Sequence, residues 1–356
     1  MIATHSAGEE LREYISTLRK KTQPQDGRNT GAGSHERNDP VLRQTAIPAA
    51  KCLTRGVASP IVAVDCGMVK LGETPRGIVI ALRAALVVDA ISGTSVRRYF
   101  SGPLYLDNSL KTERLYELGK QLGQDDYYVE VDRTDPEMPR PIYVRSGVAD
   151  NARHYADRFR SWFERKIQAD ACTAVQGGTV CLDSSLTLST RDCPNAYLRG
   201  LVTLAHDHGN NVIAVSKMSE LEVMGSSVRW WLGDAPPLPC YRALTPLMRQ
   251  EAPARADRIL GQVYAMRFAA FAPTAFRVDV CAAPGTSDDQ AIAQFFGSIR
   301  VRGFYPDVLA LAHMYATIPR SAVWSLQAQA KHLHGVVCRP DVSLEAAFGP
   351  FAGKFK

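Results

Sequence analysis

The sequence predicts a mixed α/β domain in which helices flank a central sheet. Three observations lead to this fold class. Two apolar runs, at residues 61–65 and 77–90, are typical of strands buried on both faces. Residues 149–171 place apolar and aromatic side chains at spacings of three and four, which indicates a helix. Strand-like and helical stretches then alternate as far as residue 334, as they do in layered α/β proteins.

The composition is that of an ordinary globular protein. The 356 residues are 46% hydrophobic and 22% charged, which excludes a disordered or fibrous chain. This length allows one large domain or two modest ones. The net charge of +6 is compatible with a polyanionic partner and does not require one.

Neither the N-terminus nor the cysteines suggest export. The first 21 residues lack the apolar centre of a signal peptide, and the longest apolar stretch, 77–91, is interrupted by Arg83 and too short to span a bilayer. We therefore expect a cytoplasmic protein without membrane contact. The eight cysteines include no C-x-x-C pair and several lie in apolar runs, so we expect reduced core residues.

The chain divides into four predicted segments. Residues 9–20 have the spacing of a short amphipathic helix, and residues 21–40 are polar and rich in Gly, Asn and Pro. We predict an N-terminal helix that docks on a partner, a linker, a folded domain and a tail, at residues 1–20, 21–56, 57–340 and 341–356.

The predicted elements follow one another in a recognisable order. Short links between the strands at 61–65, 77–90 and 92–102 favour an antiparallel meander. A helix and a buried strand come next, and then helices and strands alternate. This is the order of an RNase H-like core with additional helical elements. The later predicted elements are the helix 149–171, the strand 179–183, the helix 195–208, the strands 210–217 and 276–281, and a helical region 306–334.

Two aspartates occupy matching positions. Asp65 ends the run IVAVD, and Asp183 ends TVCLD. An aspartate at the end of a buried strand is costly unless it is paired or bound to a metal. If the two strands are neighbours, both carboxylates emerge at one edge, where Mg²⁺ or Mn²⁺ would find oxygen ligands. The alternative is that each is a helix cap or a turn residue.

Four stretches resemble motifs of the NurA family of DNA end-processing nucleases. They extend from about residue 57 to residue 335, so the resemblance covers most of the chain. IVAVDCG with GIVIALRAALVV resembles the first motif, and TVCLDSSL the second, usually D-G-S-L. NNVIAVSKMSEL resembles a strand ending in a serine–lysine pair. GFYPDVLALAHMYATIP resembles the C-terminal motif, in which a tyrosine precedes a histidine by two helical turns.

The resemblance implies roles for particular residues. Asp65 and Asp183 match the two aspartate ligands of a catalytic metal. His313 matches the C-terminal histidine, as a ligand or proton donor, and Tyr305 matches the tyrosine before it. Glu164 is the candidate for a glutamate upstream of the second aspartate. Asp157 is a second candidate for that position, and His313 could alternatively be a core histidine.

The activity implied is hydrolysis of DNA by an exonuclease or single-strand endonuclease with Mn²⁺ or Mg²⁺. The implied partners are single- and double-stranded DNA ends, a second copy of the chain and a HerA-type hexameric ATPase, in DNA repair or defence against foreign DNA. The sequence departs from the motifs where Cys66 and Ser184 replace the glycine after each aspartate. This departure favours a second hypothesis, a catalytically inactive binding subunit. A third hypothesis is an actin-like phosphotransferase, because VDCGMVKLG resembles the first phosphate loop of actin-like ATPases.

Other polar and aromatic features have weaker interpretations. Lys217 follows a predicted strand and could contact a DNA phosphate or be a surface charge. His206 and His208 fit a helix end better than a metal site. Trp230 and Trp231 could stack on bases but fit a core or dimer contact better. The basic segment 249–277 could line a DNA channel or form a solvated face.

Overall fold

The structure is a computed structural model, and it describes residues 47–74, 76–90, 93–107, 152–188, 195–217 and 219–335. The predicted N-terminal helix and the predicted tail lie outside the described residues. So do Cys193 and Cys338. No helix in the described ranges is long and apolar enough to cross a membrane.

A mixed sheet of nine strands forms the centre of the described part of the chain, in the order β1-β9-β10-β11-β6-β5-β2-β3-β4. Helices flank it, which confirms the predicted fold class. The strands of the sheet are β1 (Lys51–Cys52), β2 (Ile61–Thr74), β3 (Gly77–Ala90), β4 (Gly93–Asp107), β5 (Thr179–Leu182), β6 (Asn211–Ser216), β9 (Cys240–Ala243), β10 (Gln262–Arg267) and β11 (Phe276–Cys281). Two small hairpins pair β7 (Glu222–Val223) with β8 (Ser226–Ser227) and β12 (Val301–Arg302) with β13 (Tyr305–Pro306).

Five of the strands have the RNase H-like arrangement. β2, β3 and β4 form an antiparallel meander, as predicted. β5 then lies parallel to β2, and β6 lies parallel to β5. The carboxyl ends of β5 and β6 therefore meet at one edge of the sheet, beside the middle of the longer β2.

Helices cover both faces of the sheet. Their bounds are α1 (Ala152–Ala174), α2 (Asn195–Asp207), α3 (Thr245–Glu251), α4 (Pro253–Ala256), α5 (Asp288–Ser298), α6 (Asp307–Ala316) and α7 (Arg320–His334), with a 3₁₀ turn at Val228–Trp230. Side chains of α1 and α2 pack with Val62 and Val64 on one face of β2. Those of α5 and α6 pack with Ile61 and Ala63 on the other face. This alternation explains why the run IVAV is apolar at every position.

The start of β5 is held by a buried asparagine. Asn210 is wholly buried, and its side-chain oxygen accepts the backbone N–H of Gly178 at 2.8 Å. Its side-chain nitrogen donates to the carbonyls of Cys172 at 3.0 Å and Val175 at 2.8 Å. These hydrogen bonds satisfy the buried amide and fix the end of α1 relative to the first residues of β5 and β6.

The domain begins earlier than its predicted boundary. Residues 51–56 fall in the predicted linker, but Lys51 and Cys52 pair with β9 and Leu53 is buried. Gly56 lies against α5, and a Cβ there would meet the carbonyl carbon of Ala293 at 2.8 Å. The sheet and α5 therefore hold the last part of the segment predicted as a linker.

The final helical region is two helices rather than one. α6 ends at Ala316, and α7 begins after Pro319, whose backbone has the extended values φ −70° and ψ 148°. Proline has no N–H and favours the start of a helix over its interior, so the chain turns between 317 and 319.

The prediction that the cysteines are core residues is wrong for Cys52, which is exposed, and Cys281 is only partly buried. The other four cysteines in the described ranges are buried and free, as predicted. They are Cys66, Cys172, Cys181 and Cys240. Burial raises the pKa of the Cys172 thiol to about 12, so the group stays neutral.

Candidate active site

Asp65 and Asp183 lie side by side at the edge where β5 ends. Val64 in β2 is in register with Leu182, the last residue of β5, and each aspartate is the next residue in its strand direction. The side chains of both are 13% exposed, so the carboxylates are largely shielded from water. The repeated pattern of an apolar run and an aspartate thus brings the two acids together.

Asp183 is contacted by a lysine and a tyrosine. Lys217 Nζ lies 2.5 Å from Asp183 Oδ2, and the Tyr305 hydroxyl donates to Asp183 Oδ1 at 3.2 Å. The same ammonium lies 4.9 Å from the centroid of the Tyr305 ring, a cation–π distance. Burial, and then the charge of Asp183, raise the pKa of the Tyr305 phenol far above its usual range, so Tyr305 remains a donor.

Asp65 is contacted by His313 from α6. His313 Nδ1 lies 2.6 Å from Asp65 Oδ2, and the backbone N–H of Cys66 donates to Asp65 Oδ1 at 2.7 Å. The His313 side chain is 65% exposed, so it is not the core histidine of the alternative hypothesis. With Nδ1 at Asp65, the ring nitrogen Nε2 is left for a substrate or metal.

A glycine allows α6 to approach β2 this closely. A Cβ on Gly67 would lie 2.7 Å from the carbonyl oxygen of Ala316, closer than real Cβ contacts allow. The motif that the chain resembles has its glycine directly after the aspartate. Here Cys66 takes that position, and Gly67, one residue later, makes room for the helix that carries His313.

Glu164 projects from α1 toward the two aspartates. Its side chain is 12% exposed; Gln168 Nε2 donates to Oε1 at 3.2 Å, and Arg160 Nη1 donates to Oε2 at 3.2 Å. Asp157, the second candidate for the third carboxylate, is exposed on the same helix. The structure therefore favours Glu164 for this position.

The carboxyl group of Glu164 has a shifted pKa. Burial raises this pKa from 4.5 to about 7. Arg165 and Arg160 oppose the shift, while the charges of Asp65 and Asp183 add to it. Burial is therefore the main cause of the shift, and the two aspartate charges add to it; acids with a pKa perturbed in this way are often found at functional sites.

The donor set suits a hard divalent cation. Three carboxylates and an imidazole, from Asp65, Glu164, Asp183 and His313, are ligands that Mn²⁺ and Mg²⁺ accept, and the mutual repulsion of the acids is what such a cation relieves. Within the described residues, no group of three or more His, Cys, Asp or Glu side chains is gathered closely enough to hold a metal ion. Instead, Lys217 and His313 pair with the two aspartates.

Cys66 and Ser184, which replace the motif glycines, both have a buried side-chain atom. Cys66 is buried beside Asp65, and burial raises the pKa of its thiol. The backbone carbonyl of Ser184 accepts a hydrogen bond from Ser216 Oγ at 2.7 Å. Ser184 Oγ itself is buried and has no hydrogen-bond partner among the described residues.

A buried ion pair that the sequence did not single out holds the chain after Asp183. Asp279, in β11, is wholly buried, and Arg277 donates to both of its oxygens at 2.7 Å. Asp279 Oδ2 also accepts the backbone N–H of Leu186 at 2.8 Å, and Arg277 Nη2 donates to Thr187 Oγ1 at 2.9 Å. The signal available in the sequence was the alternation of charged and apolar residues in FRVDVC.

The other sequence candidates lie outside this cluster. His206 Nε2 is within 3.3 Å of the Cys281 carbonyl, and His208 Nδ1 is within 3.0 Å of the Leu204 carbonyl, so both fit a helix end. Trp231 is buried and donates to the Ser226 carbonyl at 3.2 Å, whereas Trp230 is 49% exposed.

Solved structures of NurA nucleases are similar to this fold. The NurA nuclease from Sulfolobus solfataricus is 13% identical, with a TM-score of 0.47, and the match covers 91% of this chain and 95% of that chain. A structure of NurA bound to dAMP and manganese is 9% identical, with a TM-score of 0.43, covering 80% of this chain and 90% of that chain. No protein-family model matches the sequence, and no curated protein matches it significantly. The similar structures thus come from the family that the motifs resemble.

Proposed function

We propose that this protein is a divalent-metal-dependent DNA nuclease. The observation that carries the proposal is that Asp65 and Asp183 follow neighbouring registered residues at one edge of an RNase H-like sheet, with the buried Glu164 of α1 near enough for both charges to act on it. Acids in a poorly solvated region are common at functional sites, and a divalent cation bound by them could also bind a phosphodiester.

Asp65, Glu164, Asp183 and His313 would hold the Mn²⁺ or Mg²⁺ ion. When bound, the metal would activate a water molecule and neutralise charge on the phosphate. The oxygen ligands match the preference of both metals, and the histidine favours manganese.

The side chains around the acids are suited to handling a DNA strand. Lys217 is 37% exposed and directed at the site, so its ammonium can contact a phosphate placed beside Asp183. If His313 does not bind the metal, it can instead donate a proton from Nε2 to a leaving oxygen while Asp65 orients its ring. The Tyr305 hydroxyl, kept protonated, orients the Asp183 carboxylate.

The wider role extends this proposal. Motif resemblance supports single- and double-stranded DNA ends as substrates, a homodimer as the working form and a HerA-type hexameric ATPase as the partner that feeds DNA. The setting would be DNA repair or defence against foreign DNA. Co-purification of the chain with a hexameric ATPase and a dimeric mass in solution would support these roles. A monomeric chain that does not bind such an ATPase would count against them.

The test is degradation of linear single- and double-stranded DNA with Mn²⁺, Mg²⁺ or EDTA. We expect metal-dependent cleavage that falls at least ~10³-fold, about 4 kcal/mol of transition-state stabilisation, in Asp183→Ala. Asp157→Ala is the matched control, because Asp157 is an exposed acid on α1, and it should cleave as the wild type does.

A different result would favour the inactive binding subunit. If the wild-type chain fails to cleave with a hexameric ATPase present, yet binds DNA, the substitutions Cys66 and Ser184 in the motifs become the explanation to pursue. Cleavage by Asp183→Ala at the wild-type rate would place the active site elsewhere.

A further inference from the structure

Two cysteines face each other across one edge of the sheet. β1 is an edge strand, and it pairs antiparallel with β9 so that Cys52 is in register with Cys240. The backbone N–H of Leu53 donates to the carbonyl of Pro239 at 2.9 Å, so the cysteines are a pair that does not itself exchange backbone hydrogen bonds. In such pairs the two Cα atoms are about 4.5 Å apart, and the side chains lie close together on one face.

This separation is compatible with a disulfide bond. The Cα atoms of disulfide-bonded cysteines are usually about 4.4–6.8 Å apart, and their Cβ atoms are about 3.5–4.5 Å apart. Directly opposite residues of an antiparallel pair have Cβ atoms about 4.5–5.5 Å apart, and the shorter values belong to pairs without backbone hydrogen bonds. Both thiols are free in the structure. Only a small movement therefore separates the free thiols from a bonded pair.

The two thiols differ in exposure and in their surroundings. Cys52 is exposed, whereas Cys240 is only 2% exposed. Arg267, which is in register with Cys240 on β10, donates from Nη2 to the Cys240 Sγ at 3.3 Å. Its other acceptors are the uncharged carbonyls of Leu238 and Pro236. Burial raises the pKa of the Cys240 thiol, but the charge and the hydrogen bond of Arg267 oppose this shift and favour the thiolate.

The attachment of β1 is weak enough for a covalent bond to strengthen it. The strand has two residues, and both are exposed. Lys51 pairs with Asp289 at 2.6 Å, but both side chains are more than half exposed, so this ion pair contributes little. A bond from Cys52 to Cys240 would close a long loop of the chain and so restrict the unfolded state.

We propose that Cys52 and Cys240 are a redox pair, which peroxide converts into a disulfide bond that fastens β1 to the sheet. The exposed Cys52 thiolate attacks one oxygen of hydrogen peroxide. The O–O bond breaks, a sulfenic acid forms, and the hydroxide that leaves takes up the proton of the thiol as water. The Cys240 sulfur then attacks the Cys52 sulfur, the S–O bond breaks, and the oxygen leaves as water with the Cys240 proton. Two thiols are oxidised and one peroxide is reduced to two waters.

The pair lies apart from the acids of the candidate active site. Four strands separate β1 from β5, the strand that leads to Asp183. Oxidation of the pair can therefore be measured whether or not the protein cleaves DNA.

The test is oxidation of the whole chain with hydrogen peroxide, followed by alkylation, digestion without reductant and mass spectrometry. We expect a cross-linked peptide that joins Cys52 to Cys240 and that dithiothreitol separates. The oxidised wild type should melt about 5–10 °C higher than the reduced protein. Cys52→Ser, a change at an exposed position, should show neither the cross-link nor the shift. Cys281→Ser is the matched control, since it removes a cysteine outside the pair and should keep both.

Two results would overturn the proposal. In the first, Cys52 is oxidised to a sulfinic acid, or bonded to a second copy or to another cysteine, while Cys240 remains a thiol. In the second, the melting temperature does not rise on oxidation, or rises as much in Cys52→Ser as in the wild type. DNA cleavage by the reduced protein tests the nuclease proposal separately, so either proposal can fail without the other.

Discussion

Asp183 and Asp279 belong to the same sheet but differ in burial and in their hydrogen-bond partners. Asp279 is wholly buried, and an arginine and a backbone N–H occupy both of its oxygens. Asp183, at the end of β5, remains 13% exposed, and its partners are a lysine, itself 37% exposed, and a tyrosine hydroxyl. Lys217 is partly exposed to solvent, whereas Arg277 is buried.

The difference shows which acid is available for chemistry. A carboxylate whose hydrogen bonds are all made to the surrounding fold contributes structure, and its removal leaves a buried charge without a partner. A carboxylate at a strand end, held by a partly exposed cation near two other acids, can exchange its partners for a metal or a substrate.

Comparing the free energies of unfolding of two alanine variants gives the sharpest test of this contrast. Asp279→Ala should lose about 3–5 kcal/mol, because Arg277 is left buried and unpaired. Asp183→Ala should change stability by less than about 1 kcal/mol, because Lys217 can reach solvent. Urea denaturation in EDTA measures both.

The control for this pair is Asp279→Asn/Arg277→Met, which removes both charges and should recover part of the loss. If Asp183→Ala destabilises the protein as much as Asp279→Ala does, the two acids are both structural and the contrast fails.

The pH dependence of stability extends the contrast to Glu164. Its folded-state pKa is raised from 4.5 to about 7, so between these values the folded state binds more protons than the unfolded state. The metal-free wild type should therefore lose stability as the pH rises from 4.5 to 7, by up to ~3 kcal/mol. Glu164→Gln should abolish this loss, making the variant more stable than the wild type at pH 8 while it loses activity.

Thermal unfolding in EDTA at pH 5 and pH 8 measures the effect. Asp157→Asn, on the same helix but exposed, is the control and should follow the wild type. A Glu164→Gln variant that is less stable than the wild type at pH 8 would contradict the raised pKa of the buried Glu164.

The smallest expected effect concerns the approach of α6 to β2. Gly67→Ala should cost about 1–3 kcal/mol, because the new Cβ would lie 2.7 Å from the Ala316 carbonyl oxygen and push the helix outward. His313 would then move away from Asp65, so the cleavage rate should also fall.

Gly200→Ala is the matched control, since a Cβ at this position in α2 meets nothing within 4 Å. That variant should gain about 0.5–1 kcal/mol from helix propensity and keep its activity. If urea denaturation gives Gly67→Ala and Gly200→Ala the same free energy of unfolding, the close packing of α6 against β2 does not contribute to stability.

The central strands were predictable because they are buried on both faces. β2 and β3 are apolar over most of their length, and short links define the meander. β9 and β10 escaped prediction because Arg242 and Arg267 lie inside them; both are buried, and they donate to the carbonyls of Trp231 and Leu238. The helix α5 was also missed, although its capping box of Ser287 and Gln290 is visible in the sequence.

The contacts among the candidate site residues could not be predicted from the sequence. The positions of Asp65 and Asp183 at the ends of apolar runs made them candidates for the site. Motif resemblance made Glu164, Tyr305 and His313 further candidates. Asp65 and His313 are 248 residues apart in the chain. Which side chain meets which acid depends on how closely α6 lies on β2, and that spacing is set by tertiary packing.

The fixed length of β5 has a consequence for how this chain can vary. The strand has four residues, with Asn210 holding the residue before it and Asp279 holding Leu186 after it. Successive side chains of a strand alternate between faces, so inserting or deleting one residue between Gly178 and Asp183 would turn the carboxylate to the opposite side. Substitutions such as Val180→Ile preserve that count. The residue types in this segment can therefore change, but the number of residues between Gly178 and Asp183 cannot change without turning the carboxylate away from the site.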